Sequence, residues 1–139
     1  MGTFHANCVI SNHVHRNRQA EVHGVLVDTG IEHTWISENT LKKIGVVPEK
    51  KDMQFIRANG QTVSREVGFA VIYVQDYFTV DEVVFARGGD LQLLGARTLE
   101  GLNLTVDSRK KKLVAAGPLP AAANIRPKKA LYRSMNQDS

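Results

Sequence analysis

Val25-Leu26-Val27-Asp28-Thr29-Gly30 carries an apolar run into an acid, a hydroxyl and a glycine. Strand formers precede the triplet and Thr34-Trp35-Ile36 follows it, so the acid is expected at a strand-to-turn exit. Upstream, Thr3 to Ser11 and Gln19 to Val27 read as two strands of a hairpin around the polar His13-Val14-His15-Arg16-Asn17-Arg18. Within the second of these strands Ala20, Val22, Gly24 and Leu26 fall on one face at the period of two.

Downstream of the triplet, Ser37 to Gly45 reads as one short helix. Ser37 is the expected cap, Glu38 suits the positive end of the dipole, Lys42 and Lys43 suit the negative end, and Gly45 ends it. Asn59-Gly60 between two strand-like runs is the strongest hairpin signal in the chain. Phe69 to Val74 is apolar on both faces and is expected to be buried on both sides. A turn near Gln75-Asp76 leads back through Phe78 to Phe85. Leu91 to Gly95 is a short apolar strand, Ala96 to Gly101 a short helix, and two further strands flank Arg109-Lys110-Lys111-Lys112. The fold class expected is therefore all-β, about nine short strands in an antiparallel barrel-like domain with one or two short helices.

The 139 residues suit one domain, with roughly 70% of the unfolded surface removed from water on folding. Residues 1–116 are read as that domain. Residues 117–139, with Pro118, Pro120 and Pro127 among alanine, lysine and arginine and no periodicity, are read as a flexible basic tail. A net charge of +4 is too small for a dedicated nucleic-acid binder, so nucleic acid is not expected as a partner. Cys8 is the one cysteine, which excludes an intrachain disulfide and favours a reducing, cytoplasmic setting. No apolar run approaches the ~18 residues that span a bilayer, and no signal segment is expected.

Acid–base hydrolysis of a peptide asks for a rigidly held carboxylate, which Asp28 at a strand end supplies. It also asks for a second acid. One carboxylate must be charged and its neighbour neutral, a state that two acids sharing a proton reach because like charges push their pKa values apart. Val106-Asp107-Ser108 begins like a second copy, but Arg109 stands where the glycine belongs. The missing acid is therefore expected from Asp28 of a twofold-related partner, making a C2 homodimer.

These residues resemble the retropepsin-like aspartic proteases, in particular the small single-domain bacterial members. The likeness runs through Asp28-Thr29-Gly30, Glu32 to Ile36, Leu41 to Gly45, Arg57-Ala58-Asn59-Gly60, Gly68, Leu93-Leu94-Gly95, Leu99 to Leu102 and Val106-Asp107, covering about residues 3 to 115. It implies a closed β-barrel and a homodimeric aspartic endopeptidase acting on peptides or proteins. Asp28 would be catalytic, and Thr29 and Gly30 would support the active-site loop. Gly30, Ile31, Glu32, Ala58, Asn59 and Gly60 would bind substrate, the last three as a flap. No metal or cofactor is implied. The sequence departs from the family in four places: Ile31 replaces a small residue, the flap tip has one glycine and no tyrosine, Ala96 stands where viral members carry an arginine, and a tail extends well beyond the final expected strand. Arg97 to Glu32 is the replacement ion pair on offer.

Plainer readings exist for each feature. Asp28 can cap a structural turn, and residues 57–61 can be an ordinary hairpin. His13 and His15, or His5 and His23 across the first hairpin, lack metal-site spacing. His33 is expected as a solvent-facing or cleft-wall residue, Arg109 to Lys112 as a solvated turn, and the tail as disordered rather than RNA-binding. The functional alternative is a catalytically weak or silent member of the same fold that grips or scaffolds peptides.

Overall fold

A computed structural model describes residues 4–122, and the expectation of a flexible tail lies for the most part outside them. Residues 117–122 carry no helix or strand. Nine strands and two helices follow in order among the described residues: β1 (Phe4–Ser11), β2 (Gln19–Val27), β3 (Thr34–Ser37), α1 (Glu38–Lys43), β4 (Lys50–Ile56), β5 (Thr62–Val74), β6 (Tyr77–Ala86), β7 (Leu93–Leu94), α2 (Ala96–Leu102), β8 (Leu104–Asp107) and β9 (Lys112–Ala115). No described helix is long and apolar enough to cross a membrane.

Seven strands form one sheet in the order β1-β2-β7-β3-β6-β5-β4, and β8 pairs with β9 separately. In addition β1 pairs with β5 through Val9↔Tyr73, Ile10↔Ile72 and Ser11↔Val71, so the hydrogen bonding returns to the strand it began on. Ile10, Val25, Ile36, Leu41, Ile72, Val83, Phe85 and Leu94 pack together in the core. Ala70 to Ile72 and Val74 are buried, as a run apolar on both faces requires.

Local chemistry sets the element ends. The Ser37 hydroxyl accepts from the Asn39 N–H at 3.2 Å and caps α1. Gly45, at φ +80, donates to the Lys42 carbonyl and ends it. In the β4–β5 hairpin Gly60 N–H donates to Arg57 O, and Arg57 N–H to Gln61 O, both at 2.8 Å. Ala58, Asn59 and Gly60 thus form a three-residue loop rather than a two-residue turn centred on Asn59-Gly60.

Two expectations are corrected. The sheet is mixed, because β2 runs parallel to β7 and β3 parallel to β6. β7 lies between β2 and β3, so the connection from β2 to β3 must arch over the end of β7. Nor does β2 hold one phase of alternation. Across from Asn7 it carries two residues, and Gly24 there adopts φ +67 while its N–H binds Asn7 Oδ1 at 3.0 Å. A bulge of this kind shifts the pleat by one. Val22 is buried before it and Val25 and Val27 after it, whereas Leu26 is only half-buried. The shift decides which face the strand presents as it delivers Asp28.

Candidate active site

Asp28 is the first residue beyond β2, and its turn is held at both ends by the end of β7 and the start of α2. The Asp28 N–H donates to Leu94 O at 3.1 Å, the Ala96 N–H to Ile31 O at 2.7 Å, and the Arg97 N–H to Glu32 O at 3.1 Å. Within the turn the Gly30 N–H reaches Asp28 Oδ1 at 2.8 Å. Among the described residues Asp28 accepts no other side-chain hydrogen bond and has no cationic partner. A rigid backbone thus carries a half-buried carboxylate with its second oxygen uncommitted.

The other sequence-derived site residues surround it unevenly. Thr29, Gly30 and Glu32 are exposed, Ile31 is 39% exposed, and the Thr29 hydroxyl bonds to no described residue. Ala58, Asn59 and Gly60 are also exposed, at the tip of the β4–β5 hairpin. No hydrogen bond among the described residues joins that tip to the Asp28 turn. What links the hairpin to the residues following the turn is Phe55, which lies opposite Val63 near the loop end of the hairpin. Its ring stands edge-on to Trp35 at 5.1 Å and to His33 at 5.5 Å.

The expected pair of Arg97 with Glu32 does not form. Only the Arg97 backbone meets Glu32, while its guanidinium lies 3.3 Å from His33 Nε2 and 3.6 Å from Glu82 Oε1. Glu82 is the better partner because its side chain is 12% exposed and less screened than an acid on an open turn. Lys50 and His33 meet the same carboxylate, His33 at 3.0 Å. Lys50 before all, then His33 and the nearby Arg97 charge, hold the Glu82 carboxyl below its usual range against the opposing effect of burial. His33 is thereby half-buried in an ion cluster rather than facing solvent, a placement that no local pattern around Glu82 could disclose.

A second cluster fixes the hairpin. Arg65 donates to Asp90 Oδ2 at 2.7 Å and to Oδ1 at 2.9 Å, Arg57 approaches Oδ1 at 3.3 Å, and the Arg87 N–H adds 2.8 Å to Oδ2. The Arg65 hydrogen bonds, followed by the Arg87 N–H and the two arginine charges, hold the Asp90 carboxyl below its ordinary 3.8 despite burial. Asp90→Asn is expected to lower stability by about 2 kcal/mol, measured by urea unfolding at neutral pH. The folded-state value is depressed, so this contribution is complete above the unfolded value and lost as pH falls through the folded one. The difference between wild type and variant should therefore shrink below about pH 4.

Among the described residues no three His, Cys, Asp or Glu are grouped to hold a metal ion. His5 lies opposite Leu26 rather than His23, which meets Glu21 instead. Burial pushes the Cys8 thiol up to about 12, which leaves it inert as a nucleophile. The Arg109 and Lys110 N–H groups both bind Asp107 Oδ1 at 3.1 Å, so the acid of the imperfect second motif is committed to an exposed turn.

Residues 14–101, more than half of the sequence, match the family model described as gag-polyprotein putative aspartyl protease. The chain belongs to this family. The matched stretch contains the Asp28 turn, the β4–β5 hairpin, β7 and most of α2. No curated protein matches the chain. Membership in an aspartyl protease family supports peptidase chemistry in general.

Proposed function

We propose that the protein is an aspartic endopeptidase acting as a C2 homodimer, in which Asp28 of each subunit flanks one water. The observation carrying this reading is the Asp28 turn. Its backbone is clamped to residues 94–97, yet among the described residues the side chain is bound only by the Gly30 N–H. An acid used only to build a turn has no need of a second fixed element, whereas a general base needs its orientation held. One carboxylate serves as base, and its neutral counterpart protonates the substrate carbonyl. A single copy per chain then requires two chains.

The same reading assigns the remaining parts. Thr29, exposed and with its hydroxyl bonded to no described residue, reaches across the twofold axis, and Gly30, Ile31 and Glu32 line the floor. The Ala58-Asn59-Gly60 loop closes over the substrate as a flap, the strands beside it held by Phe55 and by the two arginines on Asp90. The return of pairing from β5 to β1 supports a closed barrel. The catalytic domain spans residues 1–116 with 117–139 as an appendage, and the lone buried Cys8 fits a cytoplasmic setting.

Incubation with a mixed peptide library tests the activity directly. Internal cleavage is expected, with a bell-shaped rate profile on the acid side, as two acids sharing one proton require. Saturable peptide binding without cleavage at any pH would instead favour a peptide-gripping protein of this fold.

A further inference from the structure

Thr34 at the start of β3 and Thr98 in the first turn of α2 are both fully buried, and their hydroxyl oxygens lie 2.6 Å apart. Thr98 Oγ1 is also 2.9 Å from Asp81 Oδ2 on β6, and the Gly95 N–H is 2.9 Å from Thr34 Oγ1. The proton order in this series is determined by chemistry. An ionised carboxylate only accepts, so the Thr98 hydroxyl donates to Asp81. Its oxygen must then accept from the Thr34 hydroxyl, whose oxygen accepts from the Gly95 N–H. The other Asp81 oxygen takes the Glu82 N–H at 2.7 Å, which fixes the carboxylate from the far side.

Gly95 sits between two of the three residues that clamp the Asp28 turn. Leu94 receives the Asp28 N–H, and Ala96 donates to Ile31. A methyl group on Gly95 would lie 2.5 Å from the Glu32 carbonyl oxygen and against that of His33. Displacing Gly95 by a few tenths of an ångström therefore moves the turn.

We propose that Thr98 and Asp81 are positioning residues for Asp28, acting through Thr34 and Gly95 as a polarised hydroxyl chain that fixes the catalytic turn from behind. The proposal rests on the reading of Asp28 as the catalytic acid. Hydrogen bonds in series, the first two buried and the last ending on the half-buried Asp81 carboxylate, strengthen one another. Three elements distant in sequence are thereby joined to one backbone N–H.

The test compares Thr98→Val, which keeps the shape and removes the hydroxyl, with Thr98→Ser, which keeps the hydroxyl. Thr98→Val is expected to lower kcat roughly 10- to 100-fold with KM within about twofold, because misplacement of the acid affects the chemical step rather than peptide binding. Thr98→Ser should restore most of the loss. A general loss of packing would not be rescued by serine, which is the smaller side chain. Independently of turnover, amide exchange at Gly95 and Asp28 in Thr98→Val should quicken at least about fivefold relative to the β5–β6 core. Should the valine variant fail to fold, Asp81→Asn carries the test. It keeps an acceptor, removes the charge, and should give a smaller effect in the same two readouts. Wild-type kcat with unchanged exchange at Gly95 overturns the proposal. Cleavage that persists in Asp28→Asn sinks the catalytic reading instead, and the exchange result still decides whether the hydroxyls hold the turn.

Discussion

Replacing Asp28 with asparagine is expected to reduce peptide cleavage by at least about a thousandfold while leaving fold and dimer intact. Asparagine has nearly the same shape, and its carbonyl can still accept the Gly30 N–H that now reaches Oδ1 at 2.8 Å. The backbone clamps from Leu94, Ala96 and Arg97 involve no Asp28 side-chain atom. What the amide cannot do is exchange a proton with water and substrate. Cleavage rates, thermal unfolding and sedimentation on the same preparation check the three statements together. A variant that unfolds would point to a structural acid, and one that cleaves normally would place the chemistry elsewhere.

Gly95→Ala is expected to produce the largest loss of stability among these substitutions, about 3 kcal/mol. The added carbon would meet the carbonyl oxygens of Glu32 and His33, which are backbone atoms of the clamped turn and cannot swing aside. Relief requires either the turn or the β7–α2 junction to move, and each move breaks hydrogen bonds that tie one to the other. The thermal midpoint should fall by about 10 °C, with loss of cleavage at temperatures where the chain is still folded. Gly88→Ala is the matched control. Nothing lies within 4 Å of its added carbon, and the residue does not adopt a positive φ, so the change should be within about 0.5 kcal/mol.

The features legible in the sequence were those encoded over a few residues. Ser37, Glu38 and Gly45 announce α1 because capping acts locally, and the apolar run from Phe69 to Val74 announces a strand buried on both faces. Asp28-Thr29-Gly30 stood out because an acid, a hydroxyl and a glycine directly follow a buried strand. Interactions assembled by topology were not legible in the same way. The parallel pairing of β2 with β7 unites residues more than sixty positions apart, and Thr34 meets Thr98 across a similar gap. The phase slip at Gly24 has no local signature because a bulge is defined by the partner strand as much as by its own residues. Arg97 shows the limit of reasoning by position alone. Its sequence suggested Glu32, but the deciding factor was the sheltered Glu82 carboxylate brought alongside by β6.

In the proposed dimer one active site is built from two copies of Asp28. The most direct measurement equilibrates wild-type and Asp28→Asn chains at constant total concentration and follows cleavage as the wild-type fraction is lowered. If both acids are required, mixed dimers are silent and activity falls as the square of that fraction. A linear decline would mean that each chain works alone, and would contradict the account.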